Sequence, residues 1–208
     1  MSPVQPIRLY HFPLSGHAHR AMLMLSLLGL PYETVPVDLA AGAQKAPAHL
    51  ARNPFGQVPV IEDGDATIAD SNAILVYLAS RYDPRWLPRE PEAAAQVQRW
   101  LSVAAGPLAY GPARARVVHV FGGKWNLAEA QDLARWLFER MDAHLAGRKW
   151  LATDHPTVAD VALYSYTKHA PEGGVPLEPY PAIRAWLGRV EALPGFVAMP
   201  ASPLPKAA

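Results

Sequence analysis

The chain has 208 residues, half of them apolar, which is enough for one large domain or two small ones. Its net charge is +1, so nothing in it argues for nucleic acid or an anionic membrane as partner. It has no cysteine, which removes disulfides, thiolate-ligated metal and any protein thiol nucleophile.

Ile7 to Phe12 reads as a strand, broken at Ser15-Gly16, where a helix opens. Apolar residues recur at Ala21, Met22, Leu25 and Leu28, with Leu23, Met24 and Leu27 on the other side, so this helix is expected to be buried nearly all round. Gly29 and Pro31 stop it. Glu33 to Leu39 follows as a strand, and Pro36 within it argues for a sheet edge. Strand, helix, strand in so little chain implies a parallel unit. Pro47 to Arg52 reads as a short helix. Val58 to Glu62 and Thr67 to Ala69 read as strands joined by a turn at Asp63-Gly64. Ser71 to Tyr82 is helical.

DPRWLPREP, residues 83–91, contains three prolines and reads as a linker. Beyond it the strand pattern disappears. Glu92 to Ala105 is helical, is interrupted at Gly106-Pro107 and resumes toward Val120. Leu127 to Leu145 is a long amphipathic helix ended by Gly147. Thr157 to Ala170 opens on Thr157-Val158-Ala159-Asp160, a capping box with Asp in place of Glu. Pro181 to Ala192 is the last clear helix, and the tail from Pro194 is expected to lie on the surface. The expected division is 1–82, linker 83–91, and 92–208.

The stretch NPFGQVPVIEDGDATIADSNAI, residues 53–74, carries the chemistry. Pro59 stands between Val58 and Val60 in a strand-like run, although proline has no N–H for a ladder, so a special backbone position is implied. Asp70-Ser71 precedes an apolar helical run, an N-cap beside free backbone N–H groups where a carboxylate can sit. Together they suggest a site for an extended, peptide-like ligand. Ser15 lies between the carboxyl end of a strand and the start of a helix, where the helix dipole favours an anion. By residue type alone Ser15 is better explained as a plain cap, and capping explains Asp70 unaided.

These segments resemble the glutathione S-transferase superfamily over nearly the whole length, in its bacterial, serine-type, cysteine-free form. The resemblance rests on LYHFPLSGHAHRAMLMLSLLGLPYE (9–33), NPFGQVPV, ADSNAI, HPTVADVALY (155–164) and PAIRAWLGRVEALPGFVAM (181–199) in that order. It implies a thioredoxin-like α/β domain of order βαβαββα followed by an all-helical bundle. It implies glutathione as co-substrate, no metal, a small hydrophobic electrophile, a cytoplasmic homodimer, and conjugation with peroxide reduction as a further reaction. The alternative is a non-catalytic binding or regulatory member. No leader peptide or membrane span is expected, because residues 1–6 are polar and proline-broken and the longest apolar run, Ala21 to Leu30, is too short.

The resemblance also suggests roles. Ser15 would contact the glutathione sulfur, with His17 as helper in a position where related sequences often carry Asn. His17 would titrate near neutrality and make activation pH-dependent. Tyr10 is a rival better read as packing. Pro59 would be cis, turning the Val58 N–H and C=O toward the cysteinyl backbone. Gln57 would bond the γ-glutamyl part, Ser71 the α-carboxylate and Asp70 the ammonium. Lys45 would meet the glycyl carboxylate, with Gln44 a weaker candidate. Tyr110, Arg114, His119 and Trp125 are candidates for the electrophile side, and the role of HAPEGGV (169–175) is unassigned.

Overall fold

The computed structural model describes residue 3 and residues 5–202. The chain divides into two compact units. The first runs to Pro88 and takes in Leu193–Pro200, and the second holds Arg89–Ala192 with residues 201 and 202.

The first unit is built on a four-stranded sheet of order β2-β1-β3-β4. Its strands are β1 (Ile7–His11), β2 (Tyr32–Pro36), β3 (Val60–Asp63) and β4 (Ala66–Ala69). β1 pairs parallel with β2, from Ile7↔Tyr32 to His11↔Pro36, and antiparallel with β3 through Leu9↔Ile61. β2 is thus an edge strand, where the missing N–H of Pro36 is harmless. It lies earlier than the expected Glu33 to Leu39, because pairing with β1 sets its ends. β3 likewise begins at Val60 rather than Val58, where pairing with Tyr10 starts.

Helix α1 (Gly16–Leu27) packs on β1 and on α3 (Ser71–Tyr82), and a short α2 (Pro47–Leu50) precedes β3. Ile7, Leu9, Leu23, Met24, Leu25, Ile61, Ile74 and Leu75 are fully enclosed. Burying each such side chain contributes roughly 1.5–3 kcal/mol. Two polar residues of α1 bond to the returning segment 193–200. His19 is buried with Nε2 donating to the Val197 carbonyl at 2.9 Å, and the Ser26 hydroxyl donates to the Gly195 carbonyl at 2.6 Å. These bonds join 193–200 to the first unit, in keeping with the division of the chain.

The second unit is helical: α4 (Pro91–Ala105), a π-helical stretch (Ala109–Ala113), α5 (Arg114–Phe121), α6 (Leu127–Leu145), α7 (Val158–Lys168) and α8 (Pro181–Glu191). α7 is enclosed from Val158 to Thr167. Its capping box forms as the sequence suggests, with Asp160 Oδ2 accepting from the Thr157 N–H at 2.9 Å. Asp160 Oδ1 also accepts from the Leu151 N–H at 3.0 Å and the Trp186 indole at 2.9 Å. Burial nevertheless raises its carboxyl pKa against those bonds.

HAPEGGV supplies a second buried polar knot. Glu172 accepts from Arg116 Nε at 2.6 Å and from the Ser202 N–H at 3.1 Å, and lies 2.6 Å from His169 Nδ1. Arg116 also donates to the Ser202 hydroxyl at 2.6 Å. Among the described residues no helix is long and apolar enough to cross a membrane.

Candidate active site

A cavity of about 260 Å³ opens on the first unit, and three segments line it. The first is the start of α1. Ser15 caps that helix, its Oγ accepting from the Ala18 N–H at 3.2 Å. Among the described residues nothing accepts the Ser15 hydroxyl proton, so it is free for a ligand. An anion beside it would also meet the positive end of the α1 dipole.

The second segment is Asn53 to Pro59. The Val58-Pro59 peptide is cis. Among the described residues neither the N–H nor the C=O of Val58 has a partner, as a docking strand would need. Around it the loop is closed by its own bonds. The Gln57 carbonyl accepts from Asn53 Nδ2 at 3.0 Å and from His49 Nε2 at 2.9 Å. The exposed Gln57 side chain and Gln44 complete this wall, and Gln44 Oε1 is buried with no partner among the described residues.

The third is the start of α3. Asp70 caps it, Oδ1 accepting from the Asn72 and Ala73 N–H groups at 2.9 and 3.0 Å. Its φ of +74° is the one left-handed value at a non-glycine among the described residues. Such strain costs on the order of 1–3 kcal/mol and gathers at ligand sites. Oδ2 has no partner among the described residues. Ser71, beside it, is 4% exposed.

His17 and Arg20 lie beneath Ser71. The Ser71 hydroxyl is 3.2 Å from both His17 Nδ1 and Arg20 Nη1. Arg20 Nη1 also reaches His17 Nδ1 at 3.1 Å and Asn72 Oδ1 at 3.4 Å. Burial drives the His17 pKa down to about 3, and the neighbouring Arg20 cation adds to the shift. His17 is therefore neutral throughout the physiological range, which corrects the expectation that it titrates near pH 7. Arg20 was not anticipated. One cation in an apolar helix reads as a solvated side chain, yet it is 1% exposed.

Of the residues the sequence singled out, Ser15, His17, Gln57, Val58, Pro59, Asp70 and Ser71 all line this cavity. Lys45 does not; its ammonium donates to the Phe55 carbonyl at 3.2 Å, and Gln44 takes its place in the wall. Tyr10 is also outside, its hydroxyl donating to Glu62 at 2.9 Å and Arg52 lying 4.5 Å from its ring. In the second unit the Arg114 guanidinium lies 4.7 Å from the Tyr110 ring and 5.1 Å from Trp125, both rings half exposed. His119 is engaged elsewhere, its Nδ1 donating to the Glu172 carbonyl at 2.9 Å.

A mixed sheet with a cis-proline loop facing two helix N-termini, followed by a helical unit, is a thioredoxin-like architecture with an appended all-helical domain. The family models agree in order and extent. That for the glutathione S-transferase N-terminal domain matches residues 5–80, and that for the C-terminal domain matches residues 103–194. Glutathione S-transferase 3 of Zea mays is 36% identical, covering 96% of each chain. A crystal structure of a glutathione S-transferase from Pseudomonas fluorescens superposes with a TM-score of 0.89 at 35% identity, covering 94% of this chain and 99% of that one. A glutathione transferase homolog of Drosophila mojavensis, solved with bound glutathione, gives a TM-score of 0.82 at 29% identity, covering 91% of this chain and 89% of that one. The chain belongs to the glutathione S-transferase family.

Proposed function

We propose that this protein binds glutathione in the cavity of its first unit, ionises the thiol and passes the sulfur to a small hydrophobic electrophile, working as a homodimer. The observation that carries the reading is the convergence on one cavity of the Asp70-Ser71 helix start with a serine hydroxyl proton and a Val58 backbone that have no partner among the described residues. The ligand chemistry fits part by part. The cysteinyl backbone pairs with Val58 as a strand would. The α-carboxylate meets the hydroxyl and backbone N–H of Ser71, and the ammonium meets Asp70 Oδ2. Gln57 bonds the γ-glutamyl part. Gln44 takes the glycyl end, with Lys45 reaching it only by leaving Phe55.

The sulfur then lies at the start of α1. The Ser15 hydroxyl donates to the thiolate, and the helix dipole adds to the stabilisation, so the thiol proton leaves to solvent near neutral pH. The sulfur lone pair attacks the electrophilic carbon, a C–S bond forms, and the displaced group leaves with its electron pair. His17, neutral at these pH values, takes no part as a proton acceptor. With a hydroperoxide as acceptor, the same thiolate attacks the terminal oxygen, the O–O bond breaks, the alkoxide leaves with its electron pair and takes a proton from solvent, and the resulting glutathione sulfenic acid condenses with a second glutathione to the disulfide and water.

Ser15→Ala tests the reading. Loss of one donor to a developing or resident anion is worth roughly 10²–10³ in rate. The variant is expected to keep glutathione affinity within a few fold while kcat falls by about 10². Parent-like turnover in the variant would remove Ser15 from the chemistry. A parent that binds glutathione but transfers it to no electrophile would make the protein a glutathione binder rather than an enzyme.

A further inference from the structure

We infer that Arg20 is a positioning residue for glutathione: it fixes the direction of the Ser71 hydroxyl so that this hydroxyl donates to the ligand's α-carboxylate. The inference rests on the reading of the cavity as a glutathione site and adds a residue and a role to it. A guanidinium has donors and no acceptor. Towards Arg20 Nη1, at 3.2 Å, the Ser71 oxygen must therefore accept. Towards the same Nη1, at 3.1 Å, His17 Nδ1 must accept as well. A neutral imidazole that accepts at Nδ1 carries its proton at Nε2. His17 therefore has no proton at Nδ1 to give to Ser71. Among the described residues the Ser71 proton has one acceptor, the His17 Nδ1 lone pair, 3.2 Å away and already engaged by Arg20; otherwise it goes to a ligand in the cavity. An arriving carboxylate, being charged, is the stronger acceptor.

Arg20 thus does two things at once. It occupies the acceptors that compete for the Ser71 proton, and it leaves a full positive charge, screened from water, directly behind the hydroxyl. Both effects favour an anion in front of Ser71. A third, longer approach to Asn72 Oδ1, at 3.4 Å, shares one of the two Nη1 protons and brings the guanidinium to the first turn of α3. Arg20 reaches Ser71 from another helix, 51 residues away in sequence, which is why the sequence pattern alone does not announce it. The depressed basicity of His17 agrees with this placement, since Arg20 is its second cause after burial.

Arg20→Met keeps an unbranched apolar stem like that of the arginine and removes its donors and charge. Its affinity for glutathione is measured by calorimetry, beside that of γ-aminobutyryl-cysteinylglycine, which lacks only the α-carboxyl group. A charge-assisted contact is worth roughly 10- to 100-fold in affinity. Arg20→Met and Ser71→Ala are each expected to weaken glutathione by about that factor and the analogue by less than threefold. Equal weakening of both ligands by Arg20→Met would reduce Arg20 to a structural role and overturn the inference, as would unchanged affinity for glutathione. If Ser71→Ala weakens glutathione and Arg20→Met does not, the site reading stands and the Arg20 role falls. If the parent binds neither ligand, the site reading itself falls. Should Arg20→Met fail to fold, the parent protein decides alone through long-range ¹H–¹⁵N spectra of its imidazoles, with His17 assigned from the His17→Gln spectrum. A proton on Nε2 and an unprotonated Nδ1 are expected, and a proton on Nδ1 would overturn the inference.

Discussion

Replacing His17 by Asn should change how stability depends on pH, and the size of the change follows from the site. In the folded chain the His17 pKa is about 3, because burial and Arg20 both oppose the imidazolium. In the unfolded chain it returns to about 6.5. As pH falls below 6.5, the unfolded state takes up a proton that the folded state refuses, so stability is lost until the folded pKa is reached. At pH 8 the effect vanishes. At pH 5, one and a half units below the unfolded value, it amounts to about 2 kcal/mol. His17→Asn removes this linkage and leaves the other titrating groups in place. Urea unfolding of parent and variant at pH 8 and pH 5 gives two differences in stability. The second should favour the variant by about 2 kcal/mol more than the first. Equal differences would mean that His17 ionises normally when folded, and that its contact with Arg20 does not hold its basicity down in solution. The His17 ring resonances offer a direct check: they should stay flat from pH 8 to about 4.5.

The helical unit supports two further expectations. Asp160→Ala should cost about 3–5 kcal/mol, since it strands the N–H groups of Thr157, Leu151 and Trp186 in a fully buried place; a loss below about 1 kcal/mol by chemical denaturation would show that those groups find other acceptors. Gly173→Ala should cost about 1–3 kcal/mol, because the added carbon would stand 2.6 Å from the Arg116 backbone nitrogen; an unchanged melting temperature would contradict that packing.

Sequence legibility varied with the source of each constraint. Local rules served well where one element decides its own ends. Ser71–Tyr82 and Leu127–Leu145 form as read, because Asp70 and Asn126 supply caps and the apolar spacing is helical. β2 came out shifted because partner register sets its limits, and the Val37 N–H already turns to the His11 carbonyl at 2.7 Å where the ladder ends. Ser15, Val58-Pro59 and Asp70-Ser71 were legible because each breaks a local rule or fills a capping position. Arg20, and the Arg116–Glu172 knot, depend on pairings 51 and 56 residues apart that no spacing pattern records. Lys45 and Gln44 are adjacent in sequence, and only the folded turn decides which of them faces the cavity. His17 was read with its solution acidity, although burial and a neighbouring cation set its actual state.

The most direct test of the central claim is the thiolate absorbance of bound glutathione, followed in the ultraviolet as pH is raised. An unperturbed thiol ionises at about 8.5. The account predicts a bound value at least one unit lower in the parent, returning toward about 8.5 in Ser15→Ala. A bound thiol that ionises as it does free in solution would contradict activation by this site.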